Sequence, residues 1–236
     1  MRGEAGDDTI TASASVTVPL VLDGGDGNDR LVGGSGADRL SGGAGNDVIE
    51  GRQGADTVQL GDGDDTALWN PGDGSDVIDG ESGSDALVMQ GANVDETFEL
   101  RAAGSRVTLL RSIAAIALDL GGLERITIRA RAGADTLFVG DLTGTPVTDV
   151  ELALSPDGSA LTDGVIDTVH VSGSAADDAI ALTGAPGLVT LSGLSATVRI
   201  TQPDTFDLLV VHGLGGSDTF AATGVDGVMT LSTVQD

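Results

Sequence analysis

The sequence predicts an all-β fold in which short parallel strands wind as a flattened spiral and pass into a β-solenoid-like or β-sandwich-like C-terminal region. Three observations predict it. A nine-residue period rich in glycine and aspartate runs through residues 24–88. Apolar–polar alternation of period two follows it to the end of the chain, and almost no segment carries the 3.6-residue period of a helix. The segments expected are a cap over 1–23 with one outlying repeat, the repeat array over 24–88, and a β-rich region over 89–236.

The array reads GGDGNDRLV, GGSGADRLS, GGAGNDVIE, GRQGADTVQ and LGDGDDTAL from residue 24 to 68. Trp69 and Asn70 interrupt it, and PGDGSDVID and GESGSDALV resume it to residue 88, with an outlying GEAGDDTIT at 3–11. Position four is glycine in every copy: Gly6, Gly27, Gly36, Gly45, Gly54, Gly63, Gly74 and Gly83. Position six is always aspartate: Asp8, Asp29, Asp38, Asp47, Asp56, Asp65, Asp76 and Asp85. Position eight is aliphatic throughout, from Ile10 to Leu87. Glycine averages about 7% of protein sequence, so chance does not keep this register.

The spacing has a physical consequence. Six glycine-rich residues turn tightly and aim backbone carbonyls inward, and the next three form a short strand with one inward aliphatic side chain. With two nonapeptides per coil, same-side turns recur every eighteen residues, as Asp29, Asp47 and Asp65 do, and likewise Asp38 and Asp56. Carboxylates stacked one sheet spacing apart repel. A cage of carboxylate and carbonyl oxygens with no soft donor suits Ca²⁺, so folding is expected to couple to the ion. Glycine–aspartate turns also arise as plain turn chemistry; eight copies in register weigh against that reading here.

These residues resemble the RTX family, the haemolysin-type calcium-binding repeats G-G-x-G-x-D-x-U-x, well over 24–88 and loosely over 3–11. The resemblance implies a parallel β-roll with Ca²⁺ between successive turns, type I secretion and folding outside the cell. Its ligands would be Asp29, Asp38, Asp47, Asp56, Asp65, Asp76 and Asp85. Main-chain carbonyls near Gly24, Gly27, Gly33, Gly36, Gly42, Gly45, Gly51, Gly54 and Gly63 would complete the cages. Arg52, Leu60 and Pro71 depart from the glycine pattern, and carbonyl ligation survives such swaps where φ stays negative.

Composition narrows the function. Acidic residues outnumber basic ones 37 to 11, for a formal charge of -26, and every basic residue is arginine. Such a chain repels nucleic acid and anionic membranes and attracts cations. Five bound Ca²⁺ would bring its charge to about -16. There is no cysteine to staple the fold and no apolar run long enough to span a membrane. The N-terminus lacks the apolar core of a signal peptide, which leaves another export signal or a longer chain. No motif specifies an extracellular partner.

Beyond Leu87, strand-like runs centre near 98, 108, 117, 127, 137, 149, 169, 180, 190, 199, 209, 220 and 229. The last six steps average about ten residues, so the spiral is expected to continue with slightly longer coils. Residues 85–142 and 167–225 read as an internal duplication. Within it Asp135 and Asp218 read as eroded repeats lacking an aspartate-bearing turn one coil away; they and Asp177-Asp178 are expected to be turn residues rather than ligands.

Catalytic candidates are few. His170 is expected to face away from the Val169–Val171 face, and His212 to end a strand; neither has a serine elbow beside it, and no HExxH motif exists. Arg125, Arg129 and Arg131 resemble the base cluster of a β-helical lyase, but arginine almost never deprotonates. Trp69 is expected to fill a bulge or cap rather than stack on sugar. The leading expectation is a non-enzymatic, calcium-binding structural or adhesive module. The alternative is a β-helical carbohydrate-active enzyme, of polysaccharide lyase or epimerase type, with structural calcium.

Overall fold

The computed structural model describes residues 1–155 and 163–235. The chain divides into two compact units, one of Met1–Met89 with Ile116–Ile126, the other of Gln90–Ala115 with Thr127–Asp236. Both are built from β-strands. The one helical element among the described residues is a 3₁₀ turn at Ile113–Ala115.

In the first unit each nonapeptide ends in one short strand, and β1 and β3 begin ahead of the copies at 3–11 and 24–32: β1 (Arg2–Ala5), β2 (Thr9–Thr11), β3 (Val21–Asp26), β4 (Arg30–Val32), β5 (Arg39–Ala44), β6 (Val48–Glu50), β7 (Thr57–Asp62), β8 (Thr66–Trp69), β9 (Val77–Ser82) and β10 (Ala86–Gln90). Odd strands stack in parallel in one sheet and even strands in the other, as two strands per coil require. The position-eight aliphatics form two columns between the sheets. Leu31, Ile49, Ala67 and Leu87 are in register on one side, and Leu40, Val58 and Ile78 on the other, all at most 3% exposed. Each buried Leu, Ile or Val contributes about 1.5–3 kcal/mol, so an aliphatic core suffices with almost no aromatics.

Trp69 is 1% exposed and its indole N–H donates to Gly74 O at 2.8 Å. It fills the volume opened by the two-residue interruption, and no sugar reaches it from solvent.

The second unit departs from a simple spiral. Strands β11 (Thr97–Ala103) and β12 (Arg106–Arg111) form an antiparallel hairpin. Strand β13 (Ile116–Gly121) belongs to the first unit and pairs in parallel with β9. After β14 (Arg125–Arg129) come β15 (Thr136–Val139), β16 (Asp149–Ala153), β17 (Thr168–Ser172), β18 (Ala179–Ala185), β19 (Leu188–Ser192), β20 (Thr197–Thr201), β21 (Leu208–His212), β22 (Thr219–Thr223) and β23 (Thr230–Val234). One sheet runs β11, β15, β17, β21, β23 in parallel. In the other, β18, β19 and β20 make an antiparallel meander flanked by parallel partners β22 and β16.

The strands therefore lie where alternation placed them, but the expected continuation at ten residues per strand does not hold. Gly104 and Gly187 adopt φ of 69° and 72° at two-residue tips. That left-handed geometry folds β12 and β19 back on their predecessors instead of letting the chain cross to the opposite sheet.

Candidate metal centre

The turns along each edge of the first unit are joined by a ladder of carboxylates. The backbone N–H of each position-six aspartate but Asp76 and Asp85 donates to Oδ1 of the position-six aspartate one coil on. Asp29 donates to Asp47 at 2.7 Å, Asp47 to Asp65 at 2.6 Å, and Asp65 to Asp85 at 2.9 Å. The N–H of Asp85 ends the row on Glu124 Oε2 at 2.8 Å, and that of Asp8 begins it on Asp29 at 2.7 Å. Along the opposite edge Leu20 donates to Asp38 at 2.8 Å, Asp38 to Asp56 at 2.7 Å, and Asp56 to Asp76 at 2.9 Å. A turn N–H has no strand partner, and here the carboxylate supplies one.

A second ladder, at position five, runs the other way. The N–H of Asn46 donates back to Asn28 Oδ1 at 2.7 Å, that of Asp64 to Asn46 at 3.0 Å, and that of Ser84 to Asp64 at 2.9 Å.

The first ladder uses only one oxygen per carboxylate. Oδ2 of Asp29, Asp47, Asp56, Asp65 and Asp85 is buried with no hydrogen-bond partner. Oδ2 of Asp38 accepts the Gly34 N–H at 2.7 Å. Burial pushes Asp47 and Asp85 up to about 6, Asp56 to about 7 and Asp76 to about 8, and adjacent carboxylates push the same way. Asp65 is raised by the same causes. A buried carboxylate with an orphaned oxygen is costly unless a proton or a cation meets it.

Position-one glycines shape a cradle beside the Oδ2 of the aspartate in their own copy. A β-carbon on Gly24 would collide with Asp29 Oδ2 and lie 2.5 Å from Gly42 O; one on Gly33 would lie 2.8 Å from Asp38 Oδ2 and collide with Gly51 O. One on Gly42 would meet Asp47 Oδ2 and the Leu60 carbonyl, and one on Gly51 would meet Asp56 Oδ2. Carboxylate and carbonyl oxygens from successive coils thus crowd one point, and Leu60 keeps its carbonyl there despite its side chain. At position four, β-carbons on Gly45, Gly54 and Gly63 would strike the carbonyls of Gly27, Gly36 and Gly45 one coil back.

These donors are hard oxygens, mostly main-chain. No group of three or more acidic, histidine or cysteine side chains converges among the described residues. A site there draws at most two carboxylates and completes six to eight ligands with carbonyls, which fits Ca²⁺ rather than a metal preferring nitrogen or sulfur.

Position two corrects one expectation. Gly25, Gly43 and Gly61 hold φ between 109° and 120°, and Arg52 and Glu81 there adopt 70°, so φ does not stay negative where glycine is lost at position two, whereas Leu60 and Pro71, at position one, hold no positive φ. Such a left-handed residue costs about 1–2 kcal/mol. Arg52 recovers part through its guanidinium, which donates to Ala12 O at 2.9 Å and Gly33 O at 3.2 Å.

The second unit carries rungs that the sequence reading missed. The N–H of Glu96 donates to Asp135 Oδ1 at 2.8 Å, that of Asp135 to Asp167 at 2.8 Å, and that of Asp167 to Asp207 at 2.9 Å. In a separate row Asp178 donates to Asp218 at 2.9 Å. Asp135 and Asp218 therefore each have an acid one coil away, contrary to expectation. The signal was an acid five residues after glycine, at Gly91 and Glu96, Gly173 and Asp178, and Gly213 and Asp218. Glu96 is balanced by the buried Arg111 guanidinium, with which it forms an ion pair.

Other candidates are engaged elsewhere. Arg125 donates to the Ser84 hydroxyl at 2.9 Å and to its carbonyl at 2.8 Å. His170 stacks on Phe138 and His212, with its Nδ1 3.2 Å from His212 Nε2. Burial, then His212, lowers the His170 pKa.

Winding coils, a β-roll topology and stacked aspartate–carbonyl cradles define a calcium-binding repeat protein. The family comparison agrees: residues 1–15, 21–40, 32–67 and 72–88 match the RTX calcium-binding nonapeptide repeat in four copies. RTX nonapeptide repeats bind Ca²⁺, and all four matches fall within residues 1–88. No curated protein matches the chain. Among solved structures, the extracellular lipase LipA from Serratia marcescens is similar at 15% identity and a TM-score of 0.21, over 77% of this chain. The chain spans 38% of that lipase's length.

Proposed function

We propose that the chain is a calcium-dependent structural or adhesive module, exported by a type I route and folded on Ca²⁺ outside the cell, with no catalytic role of its own. The observation that carries this reading is the set of five buried aspartate oxygens in the repeat array without a hydrogen-bond partner. The ligands are Asp29, Asp38, Asp47, Asp56, Asp65, Asp76 and Asp85. Carbonyls of Gly24, Gly27, Gly33, Gly36, Gly42, Gly45, Gly51, Gly54, Gly63 and their neighbours complete the cages. Extracellular Ca²⁺ near the millimolar range fills sites of this class, whereas cytosolic levels leave them empty and the aspartates in mutual repulsion. The chain then stays unfolded until exported. The charge of -26 and the absence of lysine support a cation partner over nucleic acid or an anionic membrane. No described helix is long and apolar enough to cross a membrane. The duplication over 85–142 and 167–225 is supported by the hairpins β11–β12 and β18–β19, which occupy matching places in its two halves.

Circular dichroism of calcium-free protein, followed by Ca²⁺ titration, tests the coupling. The expected result is little β signal without the ion and a cooperative gain in the millimolar range or below. Equal order in chelator and in calcium rejects it. Turnover of an acidic polysaccharide by the loaded protein rejects the non-catalytic reading.

A further inference from the structure

We propose that the second unit holds a divalent-cation site of its own, between Asp135 and Asp167, outside the segment that matches the repeat family.

The turn Ala-Arg-Ala-Gly-Ala-Asp-Thr-Leu at 130–137 follows the repeat turn Gly-Arg-Gln-Gly-Ala-Asp-Thr-Val at 51–58 in its position-two arginine, position-four glycine and position-six aspartate, and differs at position one, where Ala130 stands in place of Gly51. Arg52 and Arg131 hold φ of 70° and 77°, and Gly54 and Gly133 hold 131° and 135°. Asp56 Oδ1 accepts the Asp38 N–H at 2.7 Å, and Asp135 Oδ1 accepts that of Glu96 at 2.8 Å. The N–H of Asp56 passes to Asp76 Oδ1 at 2.9 Å, and that of Asp135 to Asp167 Oδ1 at 2.8 Å. The carbonyls match as well: Asp56 O accepts Val77 N–H and Asp135 O accepts Thr168 N–H, both at 2.9 Å.

What points to a ligand is the remaining oxygen. Asp135 is 1% exposed, and its Oδ2 is buried with no hydrogen-bond partner, as is Oδ2 of Asp56. The column in which it stands is Glu96, Asp135, Asp167 and Asp207, each at most 3% exposed. Arg111 neutralises the first. Asp207 Oδ2 accepts the Asp204 N–H at 2.6 Å, which leaves Asp135 and Asp167 as stacked acids facing further negative charge from Asp95, Asp163 and Asp207. Oxygen-only donors in that field select a hard divalent ion such as Ca²⁺ over a transition metal. The rung spacing of 39 and 32 residues, against 18 or 20 in the array, hides the site from any search for nonapeptides.

This inference stands apart from export and adhesion, and its test separates it from calcium binding by the array. Native mass spectrometry of the full chain in Ca²⁺ counts bound ions for wild type, Asp135→Asn, Asp167→Asn and the double variant. Each single variant is expected to lose one ion, and the double variant no more than one. An unchanged count in Asp135→Asn overturns the site, and a loss of two in the double variant overturns the sharing. Should the variants not fold in calcium, wild-type crystals soaked in Tb³⁺ decide by anomalous scattering. A peak beside Asp135 and Asp167 supports the site. Peaks along Asp29 to Asp85 without one at Asp135 overturn it and leave the array's calcium untouched.

Discussion

Asp47 stands in the middle of its column, and replacing it by asparagine separates charge from hydrogen bonding. Its Oδ1 accepts the Asp29 N–H at 2.7 Å, its own N–H donates to Asp65 at 2.6 Å, and its Oδ2 has no partner. Asparagine keeps an oxygen for the Asp29 amide and loses the charge that two neighbouring sites share. A site at a hundredfold excess of Ca²⁺ over Kd contributes about 2.7 kcal/mol, so emptying two costs about 5 kcal/mol. That is the lower end of the total stability of a typical domain. Alanine at the same position also orphans the Asp29 amide, for a further cost of about 1–3 kcal/mol. The assay is urea unfolding in saturating Ca²⁺ together with Ca²⁺ titration by circular dichroism. Asp26→Asn, on an exposed side chain of β3, serves as control and is expected to titrate as wild type. The order wild type, Asp47→Asn, Asp47→Ala in falling stability is the expected result. A calcium midpoint unchanged in Asp47→Asn refutes the shared-ligand geometry.

Calcium-free protein is expected to lose stability as pH rises. Asp56 and Asp76 are raised from 3.8 to about 7 and about 8 in the folded state, which therefore holds protons more tightly than the unfolded one. Their favourable contribution is present below about pH 4 and gone above about pH 8; thermal melts across that window check it, and saturating Ca²⁺, which competes with those protons, is expected to reverse the trend. Gly42→Ala places a β-carbon against Asp47 Oδ2 and the Leu60 carbonyl, and is expected to weaken calcium binding at that coil, read as a higher Ca²⁺ midpoint in the circular-dichroism titration. Arg111→Leu leaves Glu96 buried and unpaired. It is expected to destabilise the second unit by about 3–5 kcal/mol, read as a lower urea midpoint.

Strand positions were legible because period-two alternation depends only on which face is buried, and that local rule located β11 through β23 as well as the array. Pairing was not legible past residue 88. Whether Val107 crosses to a new sheet or returns beside Ala102 depends on φ at Gly104, which the glycine permits but does not announce. The array's aspartate rungs were readable because equal spacing made coils equal in length. Asp135 and Asp167 were not, because unequal paths between rungs erase the period while hydrogen bonds of the same length keep the column.

Coil length and rung geometry are thus separable in this fold. Rungs 18, 20, 32 and 40 residues apart close with N–H to carboxylate distances between 2.6 and 2.9 Å. Such a scaffold accepts extra chain on its rim without disturbing its axis, and the Gly104 and Gly187 tips mark slots where foreign loops can be grafted and displayed.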